Sequence, residues 1–168
     1  MRKTVLPDQH RRDEQLPAGS VLVFGTFDLL HPGHISLLTS AAAYGQLIIA
    51  LTPDKLCVQY KGQLPIHPYA EREQRLRRLP IVTNVVPSDH IPNSFTILDR
   101  MRPRTIVLGY DQGALTDAIG QRIKALRLSC NIVQAAPYRS EVYQSSYLRE
   151  AAVRMASSSA IAPANAIR

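Results

Sequence analysis

Apolar positions along this chain follow two alternating rhythms. Residues 20–24, 47–51, 81–86, 105–108 and 131–135 are short apolar runs, which predicts five strands. The run at 47–51 is continuous rather than alternating, as for a strand covered on both faces. Between the strands the apolar spacing becomes helical. Ile35, Leu38 and Ala42 pattern a helix over 33–44, and Ile119, Ile123 and Leu126 pattern one over 115–127. Residues 69–79 are helical, with Glu71 four positions before Arg75. A short helix over 93–101 stops at Arg102-Pro103. A closing helix over 145–155 would bury Leu148, Ala152 and Met155. Residues 52–68 read as a loop-rich connection around Lys61-Gly62. Alternation of this kind predicts an α/β fold whose mostly parallel sheet is wrapped by helices.

Residues 1–18 are polar and irregular and read as an extension, and 156–168 read as a flexible tail, leaving one domain over 19–155. There is no internal repeat. No run approaches the ~18–20 apolar residues of a membrane span. The basic N-terminus lacks a signal-peptide core, so no membrane association and a cytoplasmic location are expected. Cys57 and Cys130 define no disulfide framework and read as reduced thiols.

The 168 residues carry a formal charge of +7. That excess suits an anionic partner. No aromatic ladder or nucleic-acid motif accompanies the arginines, so a small phosphorylated substrate is expected rather than DNA or RNA.

The chemistry concentrates after the first strand, in Gly25-Thr26-Phe27-Asp28-Leu29-Leu30-His31-Pro32-Gly33-His34. His31 and His34 share one face of a helix's first turn. The open amides of that turn, beside Gly25 and Thr26, make a receptor for phosphate. Gly33 leaves room for a ligand near the backbone. Two further strand ends carry phosphate-friendly groups, at Gly109-Tyr110-Asp111-Gln112 and at the segment containing Arg139. Ligands in such sheets bind at the carboxyl ends of strands. Ser145 and Ser146 open the closing helix, where hydroxyls, amides and dipole can act together on phosphate; an ordinary serine N-cap is the alternative.

The G-T-F-D-x-L-H-x-G-H stretch resembles the signature of the nucleotidyltransferase superfamily, in its cytidylyltransferase-like branch. That branch includes archaeal-type FAD synthetases, glycerol-phosphate cytidylyltransferases and phosphopantetheine adenylyltransferases. The resemblance covers about residues 20–155. It implies a single Rossmann-like domain with a parallel sheet of about five strands. It also implies that an acceptor phosphate attacks the α-phosphorus of a nucleoside triphosphate, with pyrophosphate leaving and Mg²⁺ bridging the phosphates. No side chain is assigned as a metal ligand.

By the same resemblance, His31, His34, Lys61 and Arg139 are catalytic. Gly25, Thr26, Phe27, His31, Gly33, His34, Asp111, Arg139, Ser145 and Ser146 bind the nucleotide. Asp28, Lys61 and Arg72 meet the acceptor, with Asp28 alternatively holding its loop together. Tyr69-Ala70-Glu71-Arg72 resembles the family's Y-x-x-R, and Arg75, Arg77 and Arg78 read as a solvated face. The chain departs from the family in Val82-Thr83-Asn84-Val85, where relatives carry V-D-E-V, and at Tyr147, where they carry lysine.

Leu108-Gly109-Tyr110-Asp111-Gln112 and the histidine motif most resemble those of the archaeal-type FAD synthetases, a resemblance that implies FMN adenylylation, ATP and FMN giving FAD. The match of Arg139 to Ser146 suggests instead CTP and glycerol 3-phosphate or a related polyol phosphate. A non-catalytic, nucleotide-binding regulatory protein is the reading of another class. Many family members are homodimers, which makes a homodimer the assembly to look for.

Overall fold

A computed structural model describes residues 19–138, 148–151 and 154. Its strands are β1 (Ser20–Gly25), β2 (Gln46–Leu51), β3 (Val82–Pro87), β4 (Thr105–Leu108) and β5 (Asn131–Gln134). Its helices are α1 (Pro32–Ala42), α2 (Asp54–Lys61), α3 (Tyr69–Arg77), α4 (Ile97–Met101) and α5 (Gly113–Ala125). The strands form one five-stranded sheet in the order β3-β2-β1-β4-β5. Every pairing is parallel. This is the Rossmann-like α/β architecture that the alternation predicts.

The apolar strand runs fill both faces of the sheet. On one face Leu22, Ile48 and Ile106 join Phe95, Ile97, Ile119 and Ile123. On the other Val21, Val23, Leu47 and Ile49 join Leu38, Ala41 and Leu76. β1 is therefore buried on both sides, and its chain order reverses there, between β2 and β4. An open parallel sheet leaves a crevice at such a reversal, beyond the strands' carboxyl ends.

Three local predictions needed correction. Residues 52–68 are not mainly loop, because α2 occupies half of them. Its signals are real but short: Pro53 before it, Asp54 in its first turn, Lys61 in its last and Gly62 beyond, at φ 70°. Only Leu56 and Cys57 are buried, too few positions to set a visible rhythm. The helix expected over 93–101 begins only at Ile97, because Asn93 and Phe95 adopt left-handed φ values of 56° and 46°. In α1 the buried positions are Leu38 and Ala41, while Ile35 is 36% exposed. Residues 148–151 are helical, within the span expected for the closing helix.

Asn84, in the stretch where the resemblance expects V-D-E-V, accepts from the Arg77 guanidinium through its side-chain oxygen at 2.9 Å. Arg75 and Arg77 pair with Glu71 and Glu73 along α3 at 2.6 and 2.8 Å.

Candidate active site

The carboxyl end of β1 runs into a tightly shaped loop. Gly25 is needed there, because a Cβ would stand 2.6 Å from Cε2 of Phe27. Phe27 and Leu29 hold left-handed φ values of 48° and 50°, uncommon for bulky residues and costing about 1–3 kcal/mol each. Such strain persists only where the surroundings fix it. The Phe27 ring is buried and meets the His34 ring edge-on, with centroids 5.2 Å apart.

Arg72 supplies most of the fixing. Its guanidinium is completely buried. Nε donates to the His67 carbonyl at 3.0 Å, one terminal nitrogen donates to the Thr26 carbonyl, and the other donates to the Thr52 carbonyl at 2.9 Å and the Asp54 carboxylate at 2.6 Å. It thus ties the end of β1 to the start of α2 and the 62–68 segment. The expectation that Arg72 meets an acceptor phosphate is corrected accordingly: it lines neither of the cavities described below. The Y-x-x-R spacing put the arginine on the inner face of α3, and its donors go to three carbonyls and the Asp54 carboxylate.

Asp28 is held in a similar way. Its carboxylate accepts from the backbone amides of Ile66 at 2.6 Å and His67 at 3.1 Å, and contacts His67 Nδ1 at 3.0 Å. Burial would raise its pKa, but those bonds outweigh it and hold the carboxyl below its ordinary value. Asp28 thus staples the loop, as the alternative reading expects, and it also lines both cavities described below.

His31 is the N-cap of α1, and its Nδ1 accepts from the His34 amide at 3.4 Å. That bond selects the neutral tautomer in which Nε2 carries the proton. The two imidazoles stack with centroids 3.7 Å apart. Burial, then the neighbouring His31 and Lys61, pushes the His34 pKa down to about 3, with Asp28 opposing weakly. His31 is lowered too, by burial. Both rings are neutral at physiological pH. The buried Nδ1 of His34 has no protein partner among the described residues, as suits an atom kept for water or ligand.

Two cavities meet at this loop, of about 700 and 540 Å³. Thr26, Asp28, His34, Cys57, Lys61 and Asp111 line both and mark their junction. The smaller cavity adds His31, Gly33, Tyr110, Ala135, Tyr138 and Arg149. The larger adds Gly25, Phe27 and a mostly apolar wall that includes Phe24, Leu56, Ile91, Phe95 and Leu115. The structure therefore brings together His31, His34, Lys61, Asp111, Asp28 and the Gly25–Phe27 loop. Lys61 stands on the last turn of α2 rather than in a loop. Arg139, Ser145 and Ser146, with Tyr147, lie outside the described residues.

Sequence reasoning missed Arg149, Cys57 and Ser88-Asp89. Arg149 lines the smaller cavity with a terminal nitrogen 3.9 Å from Asp28. Its signal was spacing in the sequence, four and three positions after Ser145 and Ser146. Ser88-Asp89 follow β3, a strand end like the others. Cys57 is buried, with Sγ 3.7 Å from the Thr26 hydroxyl, and its apolar context gave no sign of this position. No group of three His, Cys, Asp or Glu side chains among the described residues is arranged to hold a metal. None of the helices described is long and apolar enough to cross a membrane.

Comparison with known proteins agrees with this geometry. The chain is 32% identical to the FAD synthase of Thermococcus sibiricus, over 75% of this chain and 86% of that one. It is 33% identical to the FAD synthase of Natrialba magadii, over 70% and 78%. Among solved structures it resembles a lipopolysaccharide core biosynthesis protein from Thermoplasma volcanium, with a TM-score of 0.64 and 27% identity over 71% of this chain and 97% of that one. A pantothenate synthetase from Thermus thermophilus, at TM-score 0.55 and 15% identity over 83% and 66%, shares the fold alone. The family model described as Cytidylyltransferase-like matches residues 22–161, and the chain belongs to that family.

Proposed function

We propose that this protein is a nucleotidyltransferase that adenylylates FMN, converting ATP and FMN into FAD and pyrophosphate. The observation that carries the choice of acceptor is the larger cavity. Its volume of about 700 Å³ and its wall of Phe24, Phe95, Ile91, Leu56 and Leu115 suit a broad planar ring. A polyol phosphate has no apolar surface to cover those side chains. The FAD synthases among its relatives point the same way.

In this reading ATP occupies the smaller cavity and the flavin ring the larger, so the two phosphate groups meet at their junction. An ionised phosphate oxygen of FMN attacks the α-phosphorus. A new P–O bond forms, the bond to the β-phosphate bridge breaks, and pyrophosphate leaves toward the smaller cavity. The nucleophile is already an anion, so no general base is required. Catalysis is positioning plus stabilisation of charge. The neutral His31 donates through Nε2–H, and His34 binds beside it without bringing charge. The Thr26–Phe27 loop and the N-terminus of α1 supply amides. Lys61 reaches both phosphate groups. Arg149, with Arg139, Ser145 and Ser146, would receive the β- and γ-phosphates.

A divalent ion, Mg²⁺ by its preference for phosphate oxygens and water, would neutralise charge on the triphosphate, and the Asp111 carboxylate at the junction would help to hold it. The reaction is assigned to the single domain over 19–155. The test is competition: ATP, CTP, FMN and glycerol 3-phosphate are supplied together and the products separated. FAD as the main product supports the reading, and CDP-glycerol as the main product overturns it.

A further inference from the structure

We propose that Tyr60 and Asn93 form a clasp across the larger cavity that makes the site selective for a bulky, ring-bearing acceptor. The inference rests on the flavin reading. Tyr60 is the penultimate residue of α2, next to Lys61. Its hydroxyl accepts from the Asn93 amide at 3.0 Å and donates to the Asn93 side-chain oxygen at 3.4 Å. These bonds join two segments 33 residues apart, and both residues line the larger cavity but not the smaller.

The segment that Tyr60 holds is built rather than slack. Asn93 and Phe95 take left-handed φ values of 56° and 46° on either side of Ser94. Asn93 tolerates that conformation better than most residues. Phe95 is buried and meets Phe24 edge-on, with centroids 6.1 Å apart. The Asp89 carboxylate accepts from the Thr96 hydroxyl and from the Ile97 amide at 3.0 Å, which anchors the far end of the turn. The strained turn is therefore fixed at both ends and shaped toward the cavity.

The clasp also brings apolar surface to an open rim. Ile91 is 68% exposed and Tyr60 48% exposed, yet both line the cavity. A small polar acceptor would leave these faces in water. A planar ring would cover them, with its phosphate at Lys61 one residue along the same helix. Ring recognition and phosphate placement thus share one rigid element, and neither Tyr60 nor Asn93 lines the nucleotide cavity.

The experiment compares wild type, Tyr60→Phe and Asn93→Gly in FAD formation, with FMN binding followed by quenching of flavin fluorescence. Tyr60→Phe keeps the ring and loses both bonds. Its KM for FMN is expected to rise about five- to tenfold, with the KM for ATP within about twofold of wild type. Asn93→Gly keeps the left-handed turn and the amide donor, so its rise is expected to be smaller. An unchanged KM for FMN in Tyr60→Phe, or an equal rise for ATP, overturns the clasp while leaving FAD synthesis intact. Absence of FAD from the wild type overturns the flavin reading, and the clasp with it.

Discussion

His34 carries the sharpest chemistry at the residue scale. It lies at the junction of the two cavities, stacked on His31, with a pKa pushed down to about 3. Replacing it with alanine should lower kcat about 10²- to 10³-fold with the fold retained, measured as pyrophosphate release. A neutral His34 also leaves no mark on activity near neutrality. An acid limb near pH 6 should come from the acceptor phosphate, whose second ionisation lies at about that value. His34→Asn should keep that limb while its amplitude falls. A limb that moves with the substitution would show that His34 titrates in turnover. The lowered pKa bears on stability too. Between the ordinary 6.5 and about 3, the unfolded chain binds a proton at His34 that the folded chain refuses. Stability is therefore whole above pH 6.5 and is lost as the pH falls toward 3, with the lowered His31 adding to the loss. The drop in Tm from pH 7 to pH 5 should be smaller in His34→Asn. The histidines were legible in the sequence because their spacing at a helix start dictates a shared face. Cys57 was not, because nothing in an apolar stretch announces that a thiol will line a cavity.

Arg72 decides the arrangement of elements. It joins the end of β1, the start of α2 and the 62–68 segment through three carbonyls and the Asp54 carboxylate. Arg72→Met would remove the guanidinium donor from those groups, and a cost of about 3 kcal/mol is expected. For a domain of this size that lowers Tm by on the order of 10 °C, measured by calorimetry. Arg72→Lys should recover only part of the loss, because an ammonium cannot reproduce a planar fork. Equal stability of wild type and Arg72→Met would remove this role. The strands, α1 and α5 were readable because their apolar positions repeat over a long enough window, and α3 was readable from the spacing of Glu71 and Arg75. α2 was hidden by its two buried positions, and the true start of α4 by left-handed turns at residues that carry side chains. The partners of Arg72 were beyond sequence reasoning for another reason: three of the four are backbone carbonyls that only tertiary packing gathers.

At the scale of the whole molecule, the sheet order β3-β2-β1-β4-β5 puts the reversal of strand order beside β1. The loop after β1 thereby faces two cavities at once, one bordered by the segments after β4 and β5 and the other by α2 and the segment after β3. That division is what a transfer between two phosphate-bearing substrates needs. The alternation of strands and helices announced the sheet, but the apolar character of the larger cavity emerged only when Phe24, Phe95, Ile91 and Leu115 came together from three segments. The direct test follows the phosphorus. Purified protein is incubated with FMN, Mg²⁺ and ATP labelled at either the α- or the γ-phosphate. The account predicts that the α-label appears in FAD and the γ-label in pyrophosphate, in equal amounts. Label from the γ-position in any flavin product, or no labelled FAD at all, would contradict it.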